Sequence, residues 1–152
     1  MTPRYDRWLA VPDVVEPFGG ISVVSCGYGA STLYLHADGR DLRVTFEQIW
    51  ALTIHEEFAH PHVDSQADFP ALTSSVGKHP LGAYPLLIVT NSEWLQSFSD
   101  TRLAGLAVTQ VHYQFISMSY IVDVLSALRP HAEWVDQAST RACAPILRDA
   151  GA

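Results

Sequence analysis

Residues 108–128, VTQVHYQFISMSYIVDVLSAL, constrain the fold more than any other part of the chain. They form the densest run of β-branched and aromatic residues in the sequence, and they contain neither glycine nor proline. Such a run is typical of the centre of a core, so we expect the other elements to pack around it. We predict a strand over residues 108–117 and then a helix that Ser119 caps and Pro130 ends, although its β-branched residues would also suit a strand.

The first third of the chain alternates between apolar runs and turn signals. Residues 1–20 contain prolines and paired glycines, and they predict an irregular lead-in. Residues 21–46 hold three short runs separated by turns, which is the pattern of an antiparallel meander. Residues 46–58 fit either a helix or a strand, and we favour a turn followed by a strand over residues 51–58.

The middle of the chain contains a long loop. Residues 59–83 hold the densest glycine and proline signals, and a loop of this length in a small domain often carries function. Residues 84–90 are apolar on both faces and predict a buried strand. Asn91 or Ser92 then caps a short helix over residues 93–98.

Together these elements predict an α+β fold. The alanine-rich tail adds a helix over residues 133–143. A chain of 152 residues has the usual size of one domain, so we expect residues 1–152 to form a single domain. Its core should be a mainly antiparallel sheet of about six strands, with two or three short helices packed on one side.

Charge and apolar content narrow the class of partner. The formal net charge is −7, so the chain has no cationic surplus with which to bind nucleic acid or an anionic membrane. This charge fits a basic protein partner, although acidity can also serve solubility alone. The apolar content of 48% leaves room for an exposed apolar face, which predicts a partner or a homodimer.

Cysteine usage and the N-terminus indicate the compartment. Cys26 and Cys143 lie far apart and have no metal-type spacing, which favours a reduced protein. The N-terminal residues lack the apolar core of a signal peptide, and residues 103–122 are too polar to span a bilayer. We therefore expect a cytoplasmic protein.

Histidines and carboxylates in the long loop are candidate metal ligands. His60, His62 and Asp64 alternate, so an extended segment would project them from one face. Asp68 or His79 would complete the set, whereas the simpler interpretation is that these loop side chains are only solvated. A zinc-protease helix is excluded, because His55 and His60 are five residues apart and would not share a helical face.

Acidic and aromatic side chains also concentrate next to this loop. Carboxylates steer a basic partner by their charge, and aromatic side chains anchor the complex once it has formed. The alternative is a solvated acidic rim without a binding role. The partner-binding residues that this pattern predicts are Glu56, Glu57, Phe58, Asp64, Asp68 and Phe69.

Two polar residues, His112 and Asp123, interrupt the apolar runs of residues 108–128. His112 and Tyr113 are neighbours in the predicted central strand, so their side chains should face opposite ways. The simplest interpretation is a packed aromatic ring and a histidine whose ring is hydrogen-bonded. Asp123, if buried, needs a partner, and Arg102 or Tyr120 would serve.

Three short motifs carry a resemblance to a group of proteins. They are NSEWL at residues 91–95, HYQFI at 112–116 and IVDVL at 121–125, with Pro130 after them. The pattern resembles small bacterial α+β proteins, some of which are encoded beside polymorphic toxins as immunity proteins. The resemblance covers about residues 84–135. It implies a non-enzymatic protein that binds and blocks a toxin, and it assigns no active site and no cofactor.

The sequence therefore supports two hypotheses of different classes. The first is a protein-binding module of the immunity type, which neutralises a basic toxin domain by occluding its surface. The second is a small metal-assisted enzyme that uses His60, His62 and Asp64.

Overall fold

The computed structural model describes residues 1–25, 30–64, 66–72, 82–98 and 109–137. These residues form nine β-strands and one short α-helix. In chain order they are β1 Arg4–Arg7, β2 Gly20–Ser25, β3 Ser31–His36, β4 Arg40–Phe46, β5 Ala51–Glu56, β6 Leu86–Thr90, α1 Glu93–Gln96, β7 Val111–Ile116, β8 Tyr120–Ser126 and β9 His131–Asp136.

The strands make two sheets in which every pair of neighbours is antiparallel. The five-stranded sheet has the order β1-β6-β7-β8-β5, and the four-stranded sheet has the order β2-β3-β4-β9. The turn at Gly39, with a φ of 77°, joins β3 to β4 and sets their register. Strand β7 pairs over its whole length with β8 at the centre of the larger sheet, which confirms that this stretch forms the middle of the fold.

The hydrophobic core lies between the two sheets. Strand side chains alternate between faces, so every second residue enters this layer. Phe46 of the smaller sheet lies edge-on to Tyr113 at 5.7 Å and to Phe115 at 6.1 Å between ring centroids. Trp8 closes the cluster at 5.3 Å from Tyr113. The buried side chains of this layer include Leu33, Leu35, Leu42, Val44, Leu86, Val122 and Val124.

Several of the predicted elements are present. The meander is β2 to β4, the strand favoured over residues 51–58 is β5, and β6 and β7 lie within the strands predicted over 84–90 and 108–117. Ser92 caps α1 by accepting a hydrogen bond from the backbone N–H of Leu95 at 3.0 Å. Strand β1 lies inside the stretch that was expected to be an irregular lead-in, and it pairs with β6.

The α+β prediction is wrong, because the described chain is a sandwich of two antiparallel sheets with one helix of four residues. The residues after Ser119 form strand β8 and not a helix, since Ile121, Val122 and Val124 are β-branched and buried on the two faces of a sheet. The tail forms strand β9 against β4, and the rest of the helix predicted over 133–143 lies outside the described residues.

The outer face of the larger sheet has its own cover. The covering segment, which we define as residues 57–64 and 66–72, packs onto it together with helix α1. The Phe69 ring lies 4.5 Å from that of Tyr5, and the Trp94 ring lies 5.2 Å from that of His112. In residues 60–64, 66–72 and 82–83 of the predicted long loop, the only β-pairing is the bridge between Ala71 and Ala83. Among the described residues, no helix has the length and apolar character needed to cross a membrane.

Candidate functional site

A polar cluster lies on this covered face of the five-stranded sheet. His112 and Gln114 alternate along β7, and Gln114 is the cross-strand partner of Asp123 on β8, so the three side chains share one face. His60 from the covering segment and Ser92 at the start of α1 close over them. All five side chains are buried.

Asp123 is the centre of the cluster. Its Oδ1 accepts hydrogen bonds from His112 Nε2 at 2.6 Å and from Gln114 Nε2 at 3.0 Å. Its Oδ2 contacts His60 Nε2. A buried carboxylate with three donors is satisfied in its ionised form.

The pKa of Asp123 follows from this environment. Burial raises the pKa, but the hydrogen bonds from His112 and His60, together with their electrostatic attraction, outweigh it and lower the pKa to about 2. The carboxylate therefore carries its charge at neutral pH inside the protein.

The outer ring nitrogens of both histidines also have partners. His112 Nδ1 lies 2.7 Å from Ser92 Oγ, which also accepts the Leu95 N–H. His60 Nδ1 accepts the backbone N–H of His62 at 3.2 Å, which places the His60 proton on Nε2, where it is donated to Asp123. The cluster thus ties the covering segment and helix α1 to the centre of the sheet.

One atom of the cluster remains without a partner among the described residues. Gln114 is 1% exposed, and its Oε1 is buried and accepts no hydrogen bond. The side chain is turned so that its N–H group meets Asp123, which leaves the carbonyl oxygen unsatisfied. A buried acceptor of this kind costs about 1–3 kcal/mol, which the Asp123 contacts have to offset.

The structure brings His60 close to different candidate ligands from those expected. His55, His60 and Asp123 each offer a ligand atom, and these atoms lie within 4.8 Å of one another. The His62 ring is 6.2 Å from that of His60, and its Nδ1 lies 3.5 Å from Glu93 Oε2. Asp64 lies in the wall of a separate cavity, and His79 is outside the described residues.

Metal binding would have to displace existing hydrogen bonds. Both ring nitrogens of His60 are used, and Oδ1 of Asp123 already accepts two hydrogen bonds. A metal-bound histidine ordinarily donates its second ring N–H, whereas His60 Nδ1 accepts one. The contacts therefore favour a structural role for His60 and Asp123, in which their hydrogen bond holds the covering segment to the sheet, over a metal centre.

A surface cavity of about 510 Å³ lies beside the cluster. Its wall holds three carboxylates, Asp64, Asp68 and Glu93, and also His62 and Tyr5. Among the described residues Asp64 and Asp68 form no ion pair, and Glu93 pairs only with His62. Burial, followed by the negative charges of Asp123, Asp64 and Glu93, raises the pKa of Tyr5 to about 12. The cavity is thus an acidic environment that suits a cation.

The predicted partner-binding residues fall into three groups, which are exposed, half-buried and buried. Glu56 and Phe58 are exposed, Phe58 at 80%, and Asp64 and Asp68 line the exposed cavity. Glu57 is half-buried, with its backbone N–H bonded to the Ser119 carbonyl. Phe69, by contrast, is only 4% exposed and packs on Tyr5. It therefore belongs to the core that supports the cavity and not to its surface.

Asp123 has other partners than those anticipated. Tyr120 is three positions before Asp123 on β8, and residues an odd number of positions apart point to opposite faces of a strand, so Tyr120 lies on the opposite face. Arg102 is outside the described residues. The hydrogen-bonded histidine expected at position 112 is confirmed, as is the packing of Tyr113 on the other face. The sequence did not predict the contact of Ser92 with His112 or the role of Gln114, although a glutamine within an apolar strand is a signal for a buried polar cluster.

Comparisons with known protein families, with curated proteins and with solved structures each found no match for this chain.

Proposed function

We propose that the chain is a protein-binding module of the toxin-immunity type, which binds a basic protein and acts by covering its surface. The observation that carries this proposal is the acidic cavity, whose carboxylates Asp64, Asp68 and Glu93 have no arginine or lysine partner among the described residues. Carboxylates that have no arginine or lysine partner focus the electrostatic field in a concave surface and attract a cationic group.

Exposed aromatic side chains also lie at the end of strand β5 and on its neighbour β8. Phe58 is 80% exposed and follows β5 directly, next to the exposed carboxylate of Glu56. Tyr120 is the cross-strand partner of Glu56 and is 45% exposed. Exposed aromatic rings beside carboxylates match the composition of interface hot spots, where aromatic side chains provide most of the binding energy. We call the three carboxylates of the cavity, Asp64, Asp68 and Glu93, the acidic face.

The buried cluster gives this face a fixed shape. His60 lies between Phe58 and Asp64 in the chain, and its bond to Asp123 holds the segment against the sheet. Glu93 follows Ser92, whose hydroxyl meets His112. Both halves of the acidic face are therefore anchored to one carboxylate, so little conformational entropy is lost when a partner binds. The resemblance of residues 84–135 to immunity proteins supports the same function.

The first test is a comparison of three tagged proteins as baits in lysates of the native cells. The face variant carries Asp64→Lys and Asp68→Lys, and the control variant carries Glu47→Lys and Asp136→Lys, two exposed residues of the four-stranded sheet and its border. Each variant has the same formal net charge, −7 + 4 = −3, so only the position of the charge differs.

We expect one basic protein to co-purify in stoichiometric amount with the wild type and the control, and to be lost from the face variant. With the purified partner, the face variant should associate about tenfold or more slowly at low salt, and the difference should shrink at high salt. Equal capture by the wild type and the face variant would place the binding surface elsewhere.

A metal-assisted enzyme is the second candidate, and the grouping of His55, His60 and Asp123 is what favours it. If a metal binds there, zinc should raise the midpoint of thermal unfolding of the wild type, and His55→Ala should remove that effect. Because His60 and Asp123 are already hydrogen-bonded, we expect zinc to leave the unfolding midpoint unchanged.

A further inference from the structure

A serine, a histidine and an aspartate lie together on the outer face of the four-stranded sheet, apart from the buried cluster that contains Ser92, His112 and Asp123. Ser22 is on β2, His36 on β3 and Asp41 on β4. His36 pairs in register with Asp41 across the β3–β4 hairpin and with Gly20 on β2, two residues before Ser22. Strand alternation therefore places the three side chains on one face, where they can meet.

The contacts connect these side chains in the order of a catalytic triad. Ser22 Oγ lies 2.7 Å from His36 Nε2, and His36 Nδ1 lies 3.1 Å from Asp41 Oδ1. The Asp41 side chain is 2% exposed, and its Oδ1 also accepts a hydrogen bond from Gln137 Nε2 at 3.2 Å. A serine, a histidine that can take its proton and a buried carboxylate that orients the ring are the parts that activate a serine nucleophile.

The donors and acceptors fix the direction of each hydrogen bond. An ionised Asp41 can only accept, so His36 carries its proton on Nδ1 and donates it to the carboxylate. Nε2 then presents a lone pair, to which the Ser22 hydroxyl donates. This is the protonation pattern in which a histidine acts as the general base for a serine.

The buried cluster offers an instructive contrast. Ser92, His112 and Asp123 are the same three residue types, but there Nδ1 faces the serine and Nε2 faces the aspartate. Ser92 is 4% exposed, and its oxygen already accepts the Leu95 N–H of the helix cap. Ser22 is exposed, and the His36 side chain is 39% exposed. Substrate can therefore reach Ser22 and not Ser92.

We propose that Ser22, His36 and Asp41 form a hydrolytic site for small esters with an exposed acyl group. Ser22 Oγ forms a bond to the acyl carbon while its proton passes to His36 Nε2. The bond between the acyl carbon and the alcohol oxygen then breaks, and the alcohol leaves with that proton. Water next gives a proton to His36 and its oxygen to the acyl carbon, and Ser22 leaves with the proton as a free hydroxyl.

The oxyanion of the tetrahedral intermediate also needs a donor. Tyr34 is the cross-strand partner of Ser22 and shares its face, where paired Cβ atoms lie about 5 Å apart. A tyrosine hydroxyl is one of the side-chain groups that stabilise such an oxyanion. The substrate class follows from the open position of the site on a sheet face, which suits a short acyl chain with a good leaving group. This activity would be independent of the acidic face, which lies on the other sheet.

The test uses the purified full chain with p-nitrophenyl acetate as substrate and a fluorophosphonate as covalent probe. The wild type should release p-nitrophenol catalytically, and peptide mapping should place the phosphonyl group on Ser22. Ser22→Ala should abolish labelling and lower the rate at least tenfold, and His36→Gln should lower it by about 100-fold.

The matched control is Ser119→Ala, another exposed serine, whose hydroxyl donates to the Gly19 carbonyl at 2.9 Å. It should keep the wild-type rate and the label. Circular dichroism of each variant shows that the fold is intact. Absence of a label on Ser22 in the wild type, or an unchanged hydrolysis rate in folded Ser22→Ala protein, would overturn the proposal.

Discussion

At the scale of single residues, Asp123 carries more of the structure than any other polar side chain described here. It is buried and ionised, and it accepts three hydrogen bonds from two parts of the chain, two from His112 and Gln114 of β7 and one from His60 of the covering segment. A buried charge is stable only while its partners stay in place, and the loss of one partner leaves an uncompensated group in the interior.

Asp123→Asn tests this role directly. The amide has nearly the shape of the carboxylate, but its N–H group faces a donor from His60, His112 or Gln114. We expect the free energy of unfolding to fall by about 2–4 kcal/mol, measured by urea denaturation. The control is Asp38→Asn in the exposed β3–β4 turn, where the change should stay within about 0.5 kcal/mol. Similar values for the two variants would show that Asp123 is not the anchor.

At the scale of elements, what the sequence could predict depends on whether the signal is local. The meander from β2 to β4 is recognisable because apolar and polar residues alternate between short turns. Residues 120–126 are not decided locally, because Ile121, Val124 and Leu125 fit both a helical face and a pleated strand. Pairing with β7 and β5 decides between them, and this pairing cannot be seen in the local pattern.

The candidate sites show the same limit. Asp123 and His112 stand out as polar residues in apolar runs, so a buried cluster could be anticipated. Their contact with His60, 63 residues away from Asp123, depends on the packing of the covering segment onto the sheet. Ser22 and His36 look like ordinary polar positions of half-buried strands, and only the sheet register brings them together.

Helix α1 is an element that depends on a single side chain. Ser92 caps its first turn and also contacts His112 Nδ1, so one hydroxyl links the helix to the buried cluster. We expect Ser92→Ala to lower the free energy of unfolding by about 2 kcal/mol, because a cap and a buried hydrogen bond are lost together. Ser97→Ala, at the exposed end of the same helix, should cost less than about 0.5 kcal/mol. Equal losses in the two variants would argue against the double role of Ser92.

At the scale of the whole molecule, the sandwich separates two polar surfaces. One sheet carries the acidic face above the buried cluster, and the other carries Ser22, His36 and Asp41 on its outer side. The core between the sheets is apolar, with aromatic rings packed edge-on. A substitution at one surface should therefore leave the other unchanged, since the two share no described contact and distant sites act additively.

Acid unfolding reports on the whole fold through Asp123. Because the pKa of Asp123 is lowered from 3.8 to about 2 in the folded protein, its stabilising effect is fully present above pH 4 and is lost as the pH falls towards 2. The loss should amount to about 2 kcal/mol, since each unit of pKa shift corresponds to about 1.4 kcal/mol. Urea denaturation at intervals between pH 5 and about pH 2 measures it. The free energy of unfolding of Asp38→Asn should depend on pH as that of the wild type does. In Asp123→Asn the free energy of unfolding should fall less steeply between pH 5 and about pH 2, because the titrating group is gone. If the Asp123→Asn curve runs parallel to the wild type, other carboxyl groups cause the acid unfolding, and folding does not lower the pKa of Asp123.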